Sequence, residues 1–122
     1  MRHYLTLPEV EVALNRGKQI EQFLGGYLAH GDPAIRYAII RREDEKIVVT
    51  VYESLEPLHP NFYDVVEFSN VEPDTDPEDQ YFDTLEDAIS FLIYDRGAAV
   101  DKFVNQGMVC DEYKDYRHDK NN

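Results

Sequence analysis

The shortages in this chain exclude more than its contents assign. There is one cysteine, Cys110, among 122 residues. A single thiol rules out an internal disulfide and a multi-cysteine zinc site within one chain, and it suits a reducing, cytoplasmic setting. Its neighbours Asp111, Glu112 and Asp115 oppose thiolate formation, so no nucleophilic role is expected of it. No apolar run approaches the ~18 residues of a membrane-spanning helix. Residues 1–6 lack the apolar stretch that follows the basic start of a secretory signal. No membrane association is therefore expected. The four histidines, His3, His30, His59 and His118, share no helical ligand spacing and form no His-Glu-x-x-His pattern. There is no Gly-x-Ser-x-Gly elbow, and Gly25-Gly26 is too short to cradle a phosphate. No catalytic constellation, cofactor or metal is expected.

Positive charge is the other shortage. Twelve Lys and Arg face 25 Asp and Glu, a formal charge of −13. Residues 1–60 hold nine acids and seven bases, net −2, whereas 61–122 hold sixteen acids and five bases, net −11. Such an excess repels phosphate backbones, so direct nucleic-acid binding is not expected, whereas a basic protein surface is attracted.

What the chain does have is the composition of one folded domain, with 43% apolar residues and abundant Tyr and Phe. The organising stretch is 83–105. Asp83-Thr84-Leu85-Glu86 carries a capping signal, and Leu85, Ala88, Ile89, Leu92 and Ile93 recur at helical spacing. Ala99, Val100 and Phe103 extend that stripe, but Arg96 would fall in its middle. Gly97 favours a break, giving helices over 84–94 and 98–105. Thr6-Leu7-Pro8-Glu9 starts an earlier helix that ends at Asn15-Arg16-Gly17.

Residues 18–29 fit either a continued helix or a weak edge strand with a bulge at Gly25-Gly26, and the stop at Gly17 favours the strand. Residues 34–42 and 46–55 alternate as strands joined by Glu43-Asp44-Glu45. Ile35, Tyr37 and Ile39 point to one face, and Arg36, Ala38 and Ile40 to the other. Residues 61–70 read as a further strand, 71–80 as an acidic loop, and 108–110 as an edge strand. These elements predict an α+β domain over 1–110, an antiparallel sheet of three to five strands with helices packed on one face. Residues 111–122 are expected to form a charged, flexible tail with Tyr113 and Tyr116 as its anchors.

Asp74-x-Asp76-x-Glu78 resembles the alternate-position ligands of a calcium loop, but the central glycine and distal glutamate are missing, so a solvated acidic loop is expected. The candidate partner-binding residues are Glu72, Asp74, Asp76, Glu78 and Asp79, with Tyr94 as an exposed aromatic opposite the apolar stripe. Arg36, Arg41, Arg42 and Lys46 cluster on the hairpin and are expected to pair with nearby acids. The leading expectation is a non-enzymatic interaction protein meeting a basic partner, in its concrete form an inhibitor or immunity-type protein that blocks a nucleic-acid-binding enzyme. The alternatives are a homodimeric structural or regulatory module, and a small-molecule binder or enzyme with a sheet–helix pocket using His59, Tyr63 and Arg96.

Overall fold

The computed structural model describes residues 3–57, 61–72, 74 and 76–120. Its order is α1 (Leu7–Asn15), β1 (Ile20–Ala29), β2 (Asp32–Glu43), β3 (Lys46–Leu55), a 3-10 turn (Val65–Glu67), β4 (Asp79–Phe82), α2 (Leu85–Arg96), β5 (Val104–Asn105) and α3 (Val109–Lys120). The strands form one antiparallel sheet in the order β4-β3-β2-β1-β5, an α+β arrangement. None of the described helices is long and apolar enough to cross a membrane.

The helix starts obey their local chemistry. Thr6 accepts a hydrogen bond from the Glu9 amide, and Glu9 accepts from the Thr6 amide, closing a capping box. The Thr6 amide bond, with His3 also donating, holds the Glu9 carboxyl down at about 2, against 4.5 ordinarily. A carboxyl depressed in the folded state stabilises fully above its unfolded value. That contribution is lost as pH falls from about 4.5 through 2. An NMR titration should therefore find Glu9 still ionised at a pH where the exposed glutamates have protonated.

At α2 the cap is Thr84, which accepts from the Asp87 amide, one residue later than the Asp83 start read from the sequence. Asp83 pairs with Lys46 instead. Gly97 takes a left-handed conformation with φ 74° and ends the helix, as its position implies. No second helix follows among residues 98–105. Ala98 and Phe103 reach the core from irregular chain, and Val100 is exposed. An extended path is needed because residues 104–105 must pair with the outer edge of β1.

The alternation of β2 sorts the core into two clusters. Ala38 and Ile40, with Ile47 and Val49 of β3, pack under Val10 and Leu14 of α1 and Ala88, Ile89 and Leu92 of α2. Ile35 and Tyr37 pack on the opposite face with Val65, Phe68, Val109 and Tyr113. The expectation of helices on one face therefore holds for α1 and α2, while α3 covers the other. The two-sided apolarity of β2 requires this: Ile35 and Tyr37 need a lid as much as Ala38 and Ile40 do.

Several local expectations are corrected. Residues 111–120 belong to a helix, not a tail, because Val109, Tyr113 and Tyr116 fall three and four apart and share one face. Residues 108–110 form no strand: Met108 precedes that helix, and Val109 and Cys110 are its first residues. Residues 61–70 make a 3-10 turn and one isolated bridge, Ser54 to Asn70; Val65 and Phe68, three apart, both point to the core. Asp79 and Gln80, placed in the acidic loop by the sequence reading, form with Tyr81 and Phe82 the edge strand β4. The strand reading of 18–29 holds for Ile20–Ala29, and its register shifts between Phe23 and Gly25. β5 covers its outer side only at Ile20 and Glu21, so Gln22–Ala29 keep the position of an edge.

Two buried polar side chains on β1 dock the later chain on opposite faces. The Gln22 amide exchanges bonds with the Ala99 backbone, donating to its carbonyl at 3.0 Å and accepting from its N–H at 2.7 Å. The Glu21 carboxylate accepts from the amides of Gly107 at 2.8 Å and Val109 at 3.1 Å, where α3 begins. The far end of α3 rests on Gly26, whose missing side chain makes room for the Tyr116 ring. A Cβ there would overlap the Tyr116 hydroxyl. Tyr116 also packs on Phe23, with ring centroids 5.2 Å apart. Gly26→Ala should therefore cost about 1–3 kcal/mol through forced displacement of that ring. Chemical denaturation would read the loss directly.

Candidate functional site

The acidic stretch and the end of α2 enclose a cleft of about 550 Å³ against the sheet. Arg36, Val51 and Glu53 of β2 and β3 form its base, with Gln80 of β4 beside them. Residues 70–72 and 76–78 form one wall, and Phe91, Asp95 and Arg96 the other. The bridge from Ser54 to Asn70 holds the start of the wall against β3, and the pairing of Thr50 with Asp79 holds its end. The described residues between those anchors, 71, 72, 74 and 76–78, make an acidic bow, and 71, 72 and 76–78 line the cleft.

Five carboxylates line it, from Glu53, Glu72, Asp76, Glu78 and Asp95, against the two guanidinium groups of Arg36 and Arg96. Arg36 is largely neutralised from within. Its Nε and Nη2 donate to Glu53 Oε2 at 3.1 and 2.7 Å, and its guanidinium lies 4.3 Å from the centre of the Tyr27 ring. The Tyr27 hydroxyl donates to the same Glu53 oxygen. The Arg36 bond is the main reason the Glu53 carboxyl lies below its usual range, and the Arg96 charge adds to it. Burial, followed by the Glu53 contact, pushes the Tyr27 phenol up. Arg96 stands over the Phe91 ring at 4.9 Å and donates to the carbonyl of Asp95. The cleft therefore keeps an excess of negative charge around a partly apolar lining of Val51, Phe91 and Pro77.

The structure brings together only some of the residues singled out in the sequence. Glu72, Asp76, Glu78 and Arg96 line the cleft. Asp74 is exposed on the same bow. Asp79 turns away to a structural role, accepting from the Thr50 hydroxyl and from Arg41, and both contacts, Thr50 first, lower its carboxyl pKa. Tyr94 is 83% exposed on α2, one turn from the cleft rim. Tyr63 lies on the opposite face beside Tyr113 and His118, so Tyr63 and Arg96 cannot line one pocket. His59, the third member of that trio, lies outside the described residues. Three of the four hairpin bases pair, Arg36 with Glu53, Arg41 with Glu43 and Asp79, and Lys46 with Asp83, whereas Arg42 makes no ion pair among the described residues.

Burial, more than the nearby acids, pushes the Cys110 thiol up; Asp64 adds to it. Among the described residues no group of three or more His, Cys, Asp or Glu is arranged to hold a metal ion. A second groove, of about 750 Å³, lies on the other face over the stacked Tyr37 and Tyr52 rings. Its carboxylates are Asp76 and the already engaged Asp79, so it offers less charge to a ligand.

Missed in the sequence were Arg36, Glu53, Phe91 and Asp95 as neighbours of the acidic bow. The signal for the first pair lay in the hairpin register, which sets Arg36 opposite Glu53. Compared with known protein families, curated proteins and solved structures, the chain matches none. The α+β fold and the chemistry of the cleft thus carry the functional reading by themselves.

Proposed function

We propose that this protein is a non-enzymatic interaction module whose acidic cleft, with the neighbouring exposed face of α2, docks a basic segment of a partner protein. The observation that carries this reading is the excess of carboxylates in a concave, partly apolar cleft. Concavity supplies buried area, and charge supplies steering and selectivity against acidic partners. Tyr94 adds a large amphipathic contact on the exposed face of α2 beside the cleft, the residue type favoured where proteins meet. The net charge of −13 adds long-range attraction of a basic surface, strongest at low salt. An inhibitor or immunity-type protein that covers the positive groove of a nucleic-acid-acting enzyme is the concrete form this chemistry suits.

The test is parallel capture from native lysate at low salt, using the wild-type chain and a Glu72→Lys, Asp76→Lys, Glu78→Lys variant, each eluted by a salt gradient. All three positions are exposed, so the variant should keep its fold. The expected result is a basic protein retained by the wild type, released at moderate salt and absent from the variant. Identical retention by both chains would overturn the proposal.

A further inference from the structure

We infer that the cleft selects arginine over lysine, with Phe91 as the platform for a partner's guanidinium and Arg96 as the internal occupant it displaces. This rests on the docking reading above and goes beyond it by naming the side chain that is read. The carboxylates alone would accept any cation. The ring and the present position of Arg96 make the difference.

Arg96 is the last residue of α2, is exposed, and has its guanidinium 4.9 Å from the Phe91 ring centre. It also donates to the carbonyl of its neighbour Asp95, at 3.0 Å. It is close enough to Glu53 to help hold that carboxyl low. The chain thus seats a guanidinium of its own on the ring beside the carboxylates, at an exposed and displaceable position. A planar guanidinium gains from stacking on an aromatic face and from forked bonds to carboxylates, whereas an ammonium is a compact, strongly hydrated point charge that gains less from either. The pairing of Arg36 with Glu53 over Tyr27 repeats the same ring-and-carboxylate arrangement at the base of the cleft. Phe91 is itself braced by Phe82, centroids 5.3 Å apart, so the platform is fixed before any ligand arrives. The cleft volume of about 550 Å³ exceeds one side chain and suits an extended segment that brings one arginine to the ring and neighbouring cations to Glu72, Asp76 and Glu78.

The experiment uses the whole protein and two synthetic peptides, (Gly-Arg)4 and (Gly-Lys)4, by calorimetry at low ionic strength. The arginine peptide is expected to bind about fivefold tighter or better. Arg96→Gln should tighten both peptides by removing a competing positive charge, and the arginine peptide more, because the ring is vacated. Phe91→Leu should bring the two affinities together, with a thermal melt confirming the fold. Equal binding of both peptides to the wild type would overturn the arginine preference and leave the docking reading standing. Binding of neither would overturn both. An Arg96→Gln variant with an unchanged arginine-to-lysine ratio would remove Arg96 as the occupant.

Discussion

Replacing Tyr113 by alanine should lower stability by about 4 kcal/mol, the middle of the range for losing a buried aromatic. In a domain of this size that is a fall in Tm of about 15 °C. Tyr113 is fully buried and is the hub of the second core, its ring meeting Phe23, Tyr63, Phe68 and Tyr116. Its hydroxyl donates to Glu56 at 3.0 Å and accepts from Arg117 at 2.6 Å. Burial pushes that phenol up to about 12, so it remains neutral and able to donate across the ordinary pH range. Truncation removes the ring and leaves the low-exposure pair of Glu56 and Arg117, 3.8 Å apart, without the group that bridges them. Tyr113→Phe keeps the packing and should lose only about 1 kcal/mol. Hydrogen exchange on the alanine variant should show α3 losing protection before the β2–β3 hairpin does, because α3 is fixed to the sheet through this residue.

Glu21→Ala should rank second, at about 3 kcal/mol. The side chain is 4% exposed and accepts two backbone amides at the start of α3. Its loss strands the buried Val109 donor, at about 1–3 kcal/mol, and removes the partner of the more accessible Gly107 amide at a smaller cost. Glu21→Gln keeps an acceptor oxygen and should lose about 1 kcal/mol. Urea melts of the two variants side by side separate a role in capping α3 from simple loss of volume on β1. If both substitutions cost the same, the carboxylate is not the cap.

The elements that could be read from the sequence are those stabilised by near neighbours. Thr6 and Glu9 close a capping box within three residues, Gly97 ends a helix by its own conformation, and the alternation of residues 34–55 sets both sheet faces. Elements that depend on distant partners are hidden from such a reading. Asp79–Phe82 is short and follows an acidic loop, and becomes a strand because Ile47–Thr50 offers an edge. In α3 the apolar stripe of Val109, Tyr113 and Tyr116 is diluted by charge, so the segment resembles a tail until the uncovered face of β2 is known.

The cleft is hidden in the sequence for a related reason. A hairpin loop over 43–45 would set Arg36 opposite Tyr52. The observed two-residue turn, with Asp44 at φ 55°, pairs Glu43 with Lys46 and moves the partner of Arg36 to Glu53. One residue of register thus places a carboxylate at the base of the site. The acidic bow, the exposed Tyr94 and the anomalous Arg96 are each visible in the sequence. That Arg96 and the bow share a cleft, while Tyr63 lies across the sheet, follows only from the path of the chain.

The most direct measurement is an amide chemical-shift titration of the isotope-labelled protein with a basic peptide at low and at moderate salt. Docking in the cleft predicts salt-sensitive perturbations confined to residues 70–80 and 91–97 and to Arg36 and Glu53, with α3 unaffected. Perturbations centred on α3 or the hairpin tip at residues 28–32, or a response that salt does not weaken, would contradict it.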